Sequence, residues 1–211
     1  MKSMMTGAVH MELRRDVSGV RVCGTVLILL AIMVLSAGVV DSASLQALPV
    51  KSGSGWVFRN GSAESEMRIA GREQFAGLNC YRVDWLDDVV YQSEYWLVTD
   101  EGILVAGRRV MDHLIRFDAP YLLLRHKLIA GDSWDAVVSH DSFSETLKFT
   151  VGMDEEVATP AGRFRSTPVT VRGKTIVYRR WYVKGVGLVR EETFLPDGYA
   201  LDEKSLTRRF E

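Results

Sequence analysis

The sequence predicts an all-β protein: an antiparallel, strongly curled sheet, half-barrel or barrel-like sandwich, preceded by one N-terminal apolar helix. Three observations carry this. From Gly55 onward apolar and polar residues alternate with the period of two that a half-buried strand requires. Turn residues recur at the short spacing of a sandwich or barrel, with no long helical pattern between them. The one long apolar run, Val22 to Val40, holds no charge and sits alone near the N-terminus.

Trp56 and Phe58 alternate with Val57 and Arg59, and Asn60-Gly61 then supplies a hairpin signal, since both residues tolerate positive φ. Met67, Ile69 and Gly71 form the return strand, which Ala76-Gly77-Leu78-Asn79 breaks. Cys80 to Trp85 is the next strand, with Tyr81, Val83 and Trp85 on one face and Cys80, Arg82 and Asp84 on the other. Asp87-Asp88 turns the chain, and Val89 to Val98 and Ile103 to Met111 flank the Thr99-Asp100-Glu101-Gly102 loop. Asp118-Ala119-Pro120 is expected to end a strand. Tyr121 to Ile129 is either a short helical turn or an extended segment closing one end of a barrel.

The last third is clearer. Phe143 to Val151 reads as a strand, and Glu156 to Ala158 meets Phe164 to Val171 across Thr159-Pro160-Ala161-Gly162. Arg172-Gly173, Gly185-Val186-Gly187 and Pro196-Asp197-Gly198 are the remaining turns. Gly185 and Gly187 are expected to be structural, giving a tight positive-φ connection with Trp181 and Leu188 packed beside it. A nucleotide-binding use of this Gly-x-Gly fails, because it joins two strands instead of opening a helix.

Arg14, Arg15 and Arg21 precede the apolar run and Asp41 follows it, which is the order of an export signal. Everything after Asp41 is then expected outside the inner membrane. Two alternatives stand. Ser42-Ala43-Ser44 would suit signal-peptide cleavage before Leu45, while the length of Val22 to Val40 also suits an uncleaved anchor. Residues 1–44 are thus leader or anchor, 45–54 a linker, and 55–211 a single β-rich domain. The expected location is the periplasm or cell envelope of a bacterium.

A formal charge of −1 argues against nucleic acid or an anionic membrane surface as a partner. Membrane contact is expected only through an uncleaved leader. Cys80 alone remains after residue 44, so no internal disulfide is expected.

Thr159-Pro160-Ala161-Gly162-Arg163-Phe164 and Trp181 to Arg190 resemble the signature of TapB-like secreted bacterial domains of unknown function, a run of antiparallel strands closed by a glycine hairpin. Pro120 to Trp134 is similar to their crossover segment, with Arg125-His126-Lys127 as a departure. The resemblance implies a curled sheet in the bacterial envelope and no reaction.

No residue pattern points to catalysis, a cofactor or a metal. His113, His126 and His140 lack ligand spacing, and no G-x-S-x-G elbow occurs. The adjacent pairs Asp87-Asp88, Glu155-Glu156 and Glu191-Glu192 read as solvated turns or strand positions. The sharper candidate is an apolar groove on a concave sheet, lined by Trp85, Trp96, Tyr178 and Tyr182. The expected function is a non-catalytic envelope domain that binds a lipid or another envelope protein. The alternatives are a membrane-anchored assembly module without a pocket and, least favoured, a hydrolase with dispersed residues. N-terminal sequencing of the exported protein is expected to begin at Leu45; an intact Met11 or Arg14 would establish the anchor instead.

Overall fold

The computed structural model describes residues 47–211 apart from Asp88, so the expected N-terminal apolar helix lies outside the described residues. Thirteen strands follow one another, with no helix among the described residues. They are β1 (Gly55–Asn60), β2 (Ala63–Phe75), β3 (Leu78–Leu86), β4 (Val90–Val98), β5 (Gly102–Val110), β6 (His113–Arg125) and β7 (Ser133–His140). The rest are β8 (Phe143–Val151), β9 (Glu155–Thr159), β10 (Gly162–Arg172), β11 (Val177–Val183), β12 (Gly187–Phe194) and β13 (Ala200–Phe210). All pair antiparallel in the order β6-β5-β4-β3-β2-β1-β13-β12-β11-β10-β8-β7, with β9 on β10. The sheet curls into a nearly closed barrel. At the remaining seam no ladder joins β6 to β7, but the Trp134 indole donates to the Leu122 carbonyl at 3.2 Å. Arg125 lies over the Trp134 ring at 5.1 Å.

Alternate residues point inward. Trp56, Met67, Ile69, Val83, Trp96, Val105, Phe149, Val169, Leu188 and Leu206 belong to one continuous buried core. A smaller cluster holds Phe75 stacked on Tyr95 at 4.0 Å, with Cys80 and Ala106. Cys80 and Val83 thus fall into different clusters, as the two-face division of β3 requires. Ala47 and Leu48, in the stretch expected as a linker, are buried in the main core.

Three local expectations need correction. β6 does not end at Pro120 but runs on to Arg125, and Tyr121 onward is extended rather than helical. Its register jumps from Val105↔Tyr121 to Gly107↔Arg116, so Asp118-Ala119-Pro120 sits in a wide bulge where a residue without an N–H costs no ladder bond. β3 begins at Leu78 and not at Cys80, because Ala76-Gly77 alone makes the turn. Met111 is a turn residue rather than the end of a strand: Val110 pairs with His113, leaving a two-residue hairpin.

The Gly185-Val186-Gly187 turn shows why its glycines are there. Gly185 has φ 74° and Gly187 φ 104°. The Trp56 indole donates to the Val186 carbonyl at 2.6 Å, and Arg209 donates to the Gly185 carbonyl at 2.6 Å. A Cβ on Gly187 would lie 2.5 Å from Leu48 Cδ1 and 3.0 Å from Trp56 Nε1, whereas one on Gly185 would meet open space. Nearby, Trp181 is 3% exposed, with Arg179 and Arg190 over its ring at 4.7 and 5.3 Å and its indole bonded to Glu155. Gly185→Ala is expected to cost about 1–2 kcal/mol of left-handed strain, Gly187→Ala more, and Trp181→Ala about 3–5 kcal/mol. Urea unfolding of the three variants checks that order.

Candidate functional site

The inward face of the barrel carries charged as well as apolar side chains toward one end. Antiparallel order places the β1–β2, β3–β4, β5–β6, β7–β8 and β12–β13 turns together at that end. A cavity of about 280 Å³ lies within the barrel, lined from Tyr91 and Asp202 near that end down to Leu48, Tyr182 and Leu188 beside the β11–β12 turn. The four aromatics expected on a groove, Trp85, Trp96, Tyr178 and Tyr182, all line this one cavity, together with Tyr91. They come from β3, β4 and β11, which the closed sheet order brings face to face. Between the rings stand Glu94, Arg180, Glu191, Asp202 and Lys204, so the walls alternate aromatic faces with charge.

Arg180 and Glu191 form the centre. Arg180 Nε donates to Glu191 Oε2 at 2.6 Å, and the carboxylate side is 9% exposed. The pair exists because of a bulge. Counting back from the hairpin, Val183 faces Gly187 and Tyr182 faces Leu188, but Trp181 then faces Arg190, with Val189 as the extra residue. The slip sets Arg180 opposite Glu191; regular pairing would have set it opposite Arg190, a repulsive pair. Burial works against the Arg180 charge, but the Glu191 carboxylate overrides it and holds the guanidinium more firmly protonated than usual. The guanidinium lies over the Tyr178 ring at 4.8 Å.

The other polar groups are placed as firmly. Glu94 accepts from the Trp96 indole at 2.9 Å and from the Gln92 amide at 3.2 Å. Lys204 reaches over the Trp85 ring at 5.9 Å and lies 3.9 Å from Asp202. The Trp85 indole nitrogen is buried with no hydrogen-bond partner. Burial, with the carboxylates around it, pushes the Tyr91 hydroxyl up to about 12. Burial also pushes Tyr182 up to about 12, the carboxylates Glu191 and Glu94 adding to it and Arg180 opposing it. Tyr91, Asp202 and Lys204 also line an adjoining rim pocket with Asn60 and Asp87, which carries the cavity to the barrel end.

Two further cavities contain the histidines weighed for catalysis. One of about 260 Å³ shares Tyr178 with the first and holds His140 and Glu145, but Glu145 accepts the Lys174 N–H at 2.5 Å and His140 stacks on Phe143 at 5.2 Å. The other, about 600 Å³ at the opposite end, holds His126 and Asp154. There His126 Nε2 lies 2.7 Å from the Thr99 carbonyl oxygen, and Asp154 accepts from Thr167 at 2.7 Å. His113 is exposed and lines none of the three. Among the described residues no three His, Cys, Asp or Glu side chains gather as a metal site would require. Sequence reasoning missed Glu94, Arg180, Glu191, Asp202 and Lys204. Only a correct β11–β12 register could have signalled the central pair.

The fold and cavity define an all-β, nearly closed barrel with a small polar and aromatic chamber inside it. No family model matches the chain, and no curated protein matches it, so the TapB-like resemblance stands on its motifs alone. Solved structures similar to it include a candidate exported protein with a YmcC-like fold from Bacteroides fragilis, at 13% identity and a TM-score of 0.44 over 78% of this chain and 98% of that one. A candidate lipoprotein from Parabacteroides distasonis gives 13% identity and a TM-score of 0.43 over the same shares. The hypothetical lipoprotein YmcC from Escherichia coli gives 12% and 0.36 over 89% of this chain and 98% of its own.

The raised tyrosines fix the alkaline limit of stability. A hydroxyl whose folded pKa stands above its ordinary value stabilises the fold while it stays protonated, and that contribution disappears as pH rises through the folded value. Stability is therefore expected to hold up to pH about 10 and to fall between about 10 and about 12. Urea midpoints of the wild type and Tyr182→Phe across that range check it; the variant should fall less steeply.

Proposed function

We propose that this chain is an exported protein of the bacterial cell envelope whose barrel binds an amphiphilic, lipid-like ligand without chemically changing it. The observation that carries the reading is the position of the chamber. It opens at the end where apolar side chains stand exposed on successive turns. Val89 is 71% exposed, Met111 75% and Tyr199 68%, and half-exposed Phe143 follows the β7–β8 turn. Large apolar residues on several tips of one rim are costly in water unless something covers them. A ligand with an apolar part along the rim and a polar part in the chamber satisfies both regions.

The leader supports export through its basic, then charge-free, then small-residue order. The solved proteins named above are described as exported or as lipoproteins, but the leader carries the localisation. A catalytic use is not favoured: the central carboxylate and guanidinium are committed to each other, His126 lies against a backbone carbonyl, His140 stacks on Phe143, and His113 is exposed outside the cavities. Native mass spectrometry of the protein purified from its own envelope is expected to show a retained amphiphile. A mass equal to the bare polypeptide under the same gentle conditions would overturn the reading.

A further inference from the structure

The chamber's chemistry narrows the ligand further. Three carboxylates, Glu94, Glu191 and Asp202, face two cations, Arg180 and Lys204. A phosphate or carboxylate entering here meets the acids. An ammonium meets two cations that already cover the rings of Tyr178 and Trp85. Either charge would be bound against repulsion in a partly desolvated space, where like charges interact strongly. A neutral group avoids both costs. At about 280 Å³ the chamber is also too small for a whole lipid, so only a head can enter.

The remaining features call for a head with hydroxyls around an apolar face. The Trp85 indole N–H is buried without an acceptor, and a buried donor without a partner is costly until something supplies one. The tyrosine hydroxyls of the wall can both donate and accept. Aromatic rings alternate with these groups, as the C–H faces of a sugar ring alternate with its hydroxyl edge. Resting on the amphiphile reading above, we infer that the chamber holds a neutral glycosyl group, the head of a glycolipid whose tail lies along the apolar rim.

The test uses three probes with the exported chain. These are decyl maltoside below its micelle-forming concentration, maltose, and decanoate, which keeps a similar tail but replaces the sugar with a carboxylate. Two-dimensional ¹⁵N–¹H spectra report the indole signals of Trp85 and Trp96. Decyl maltoside is expected to shift both and to bind at least about tenfold more tightly than either decanoate or maltose, a difference on the scale of one well-placed hydrogen bond. Maltose should shift the same two signals at higher concentration. Trp85→Phe keeps the ring and removes the donor, and Glu94→Gln keeps the shape and removes a charge. Trp85→Phe should weaken decyl maltoside about tenfold and leave decanoate unchanged, whereas Glu94→Gln, which removes one of the acids that repel an anion, should tighten decanoate and narrow its gap to decyl maltoside, with unaltered melting curves confirming the fold.

Equal binding of decanoate and decyl maltoside would overturn the glycosyl head and leave the amphiphile reading standing. Maltose binding as tightly as decyl maltoside would keep the glycosyl chamber and identify its source as a free saccharide, removing the tail. If none of the three shifts the indole signals, the amphiphile reading and the glycosyl head fall together.

Discussion

The ladder between β1 and β13 is the constraint on which the rest of the barrel depends. β1 to β6 form an up-and-down meander in which each strand pairs with its neighbour in sequence, and β10 to β13 form another. Gly55↔Phe210 through Arg59↔Ser205 joins them. Apart from this ladder, only β8 with β10 pairs strands that are not consecutive. Without β1–β13 the aromatic face of β3 and β4 would never meet Arg180 and Tyr182 on β11. One of its ends is fastened by side chains as well: Trp56 and Arg209, opposite each other in the ladder, both bind the turn between β11 and β12. The closing contact thus joins residues far apart in the chain, and it is expected to form late, after the two meanders.

The interior is divided by what each layer of side chains can satisfy. Over most of the barrel, branched and aromatic side chains fill the space, and the indoles of Trp56 and Trp134 spend their N–H groups on backbone carbonyls. Toward the open end the same inward positions carry Glu94, Arg180, Glu191 and Lys204, each with a partner on its own or an adjacent strand. Breaking the Arg180–Glu191 pair by removing one member would leave a charge uncompensated at the centre of the chamber. This network is therefore as rigid a part of the site as the rings.

Much of the fold was legible because its turns use turn chemistry. Asn60-Gly61, Thr159 to Gly162 and Gly185 to Gly187 each announce a reversal, and the alternation between them sets the faces. Two reversals were hidden. Met111 and Asp141 adopt φ of 52° and 48° in two-residue hairpins, and neither is a glycine or an asparagine. At Met111 the ladders on both sides impose a conformation the residue does not prefer, whereas Asp141 is of a type that tolerates it. The Pro120 bulge was hidden for the related reason that proline usually marks an end. At the site, the four aromatics could be picked out because rings on a strand face are conspicuous. Their charged neighbours could not, since the Val189 bulge shifts the count by one and turns Glu191, not Arg190, toward Arg180.

The open seam has a consequence for the behaviour of the protein in a crowded compartment. A free strand edge is a template on which other chains can add, the usual route to fibrous aggregates. The barrel's path ends in two such edges, β6 and β7, apart from the short β9, and it turns them toward each other in the same molecule, where Trp134 bonds across and Arg125 pairs with Asp132 at 3.9 Å. The β6 edge is also interrupted by the bulge at Pro120, so neither a partner strand nor a second copy finds a long flat row of free backbone groups. The barrel thus gains the self-protection of closure without a complete ring of hydrogen bonds.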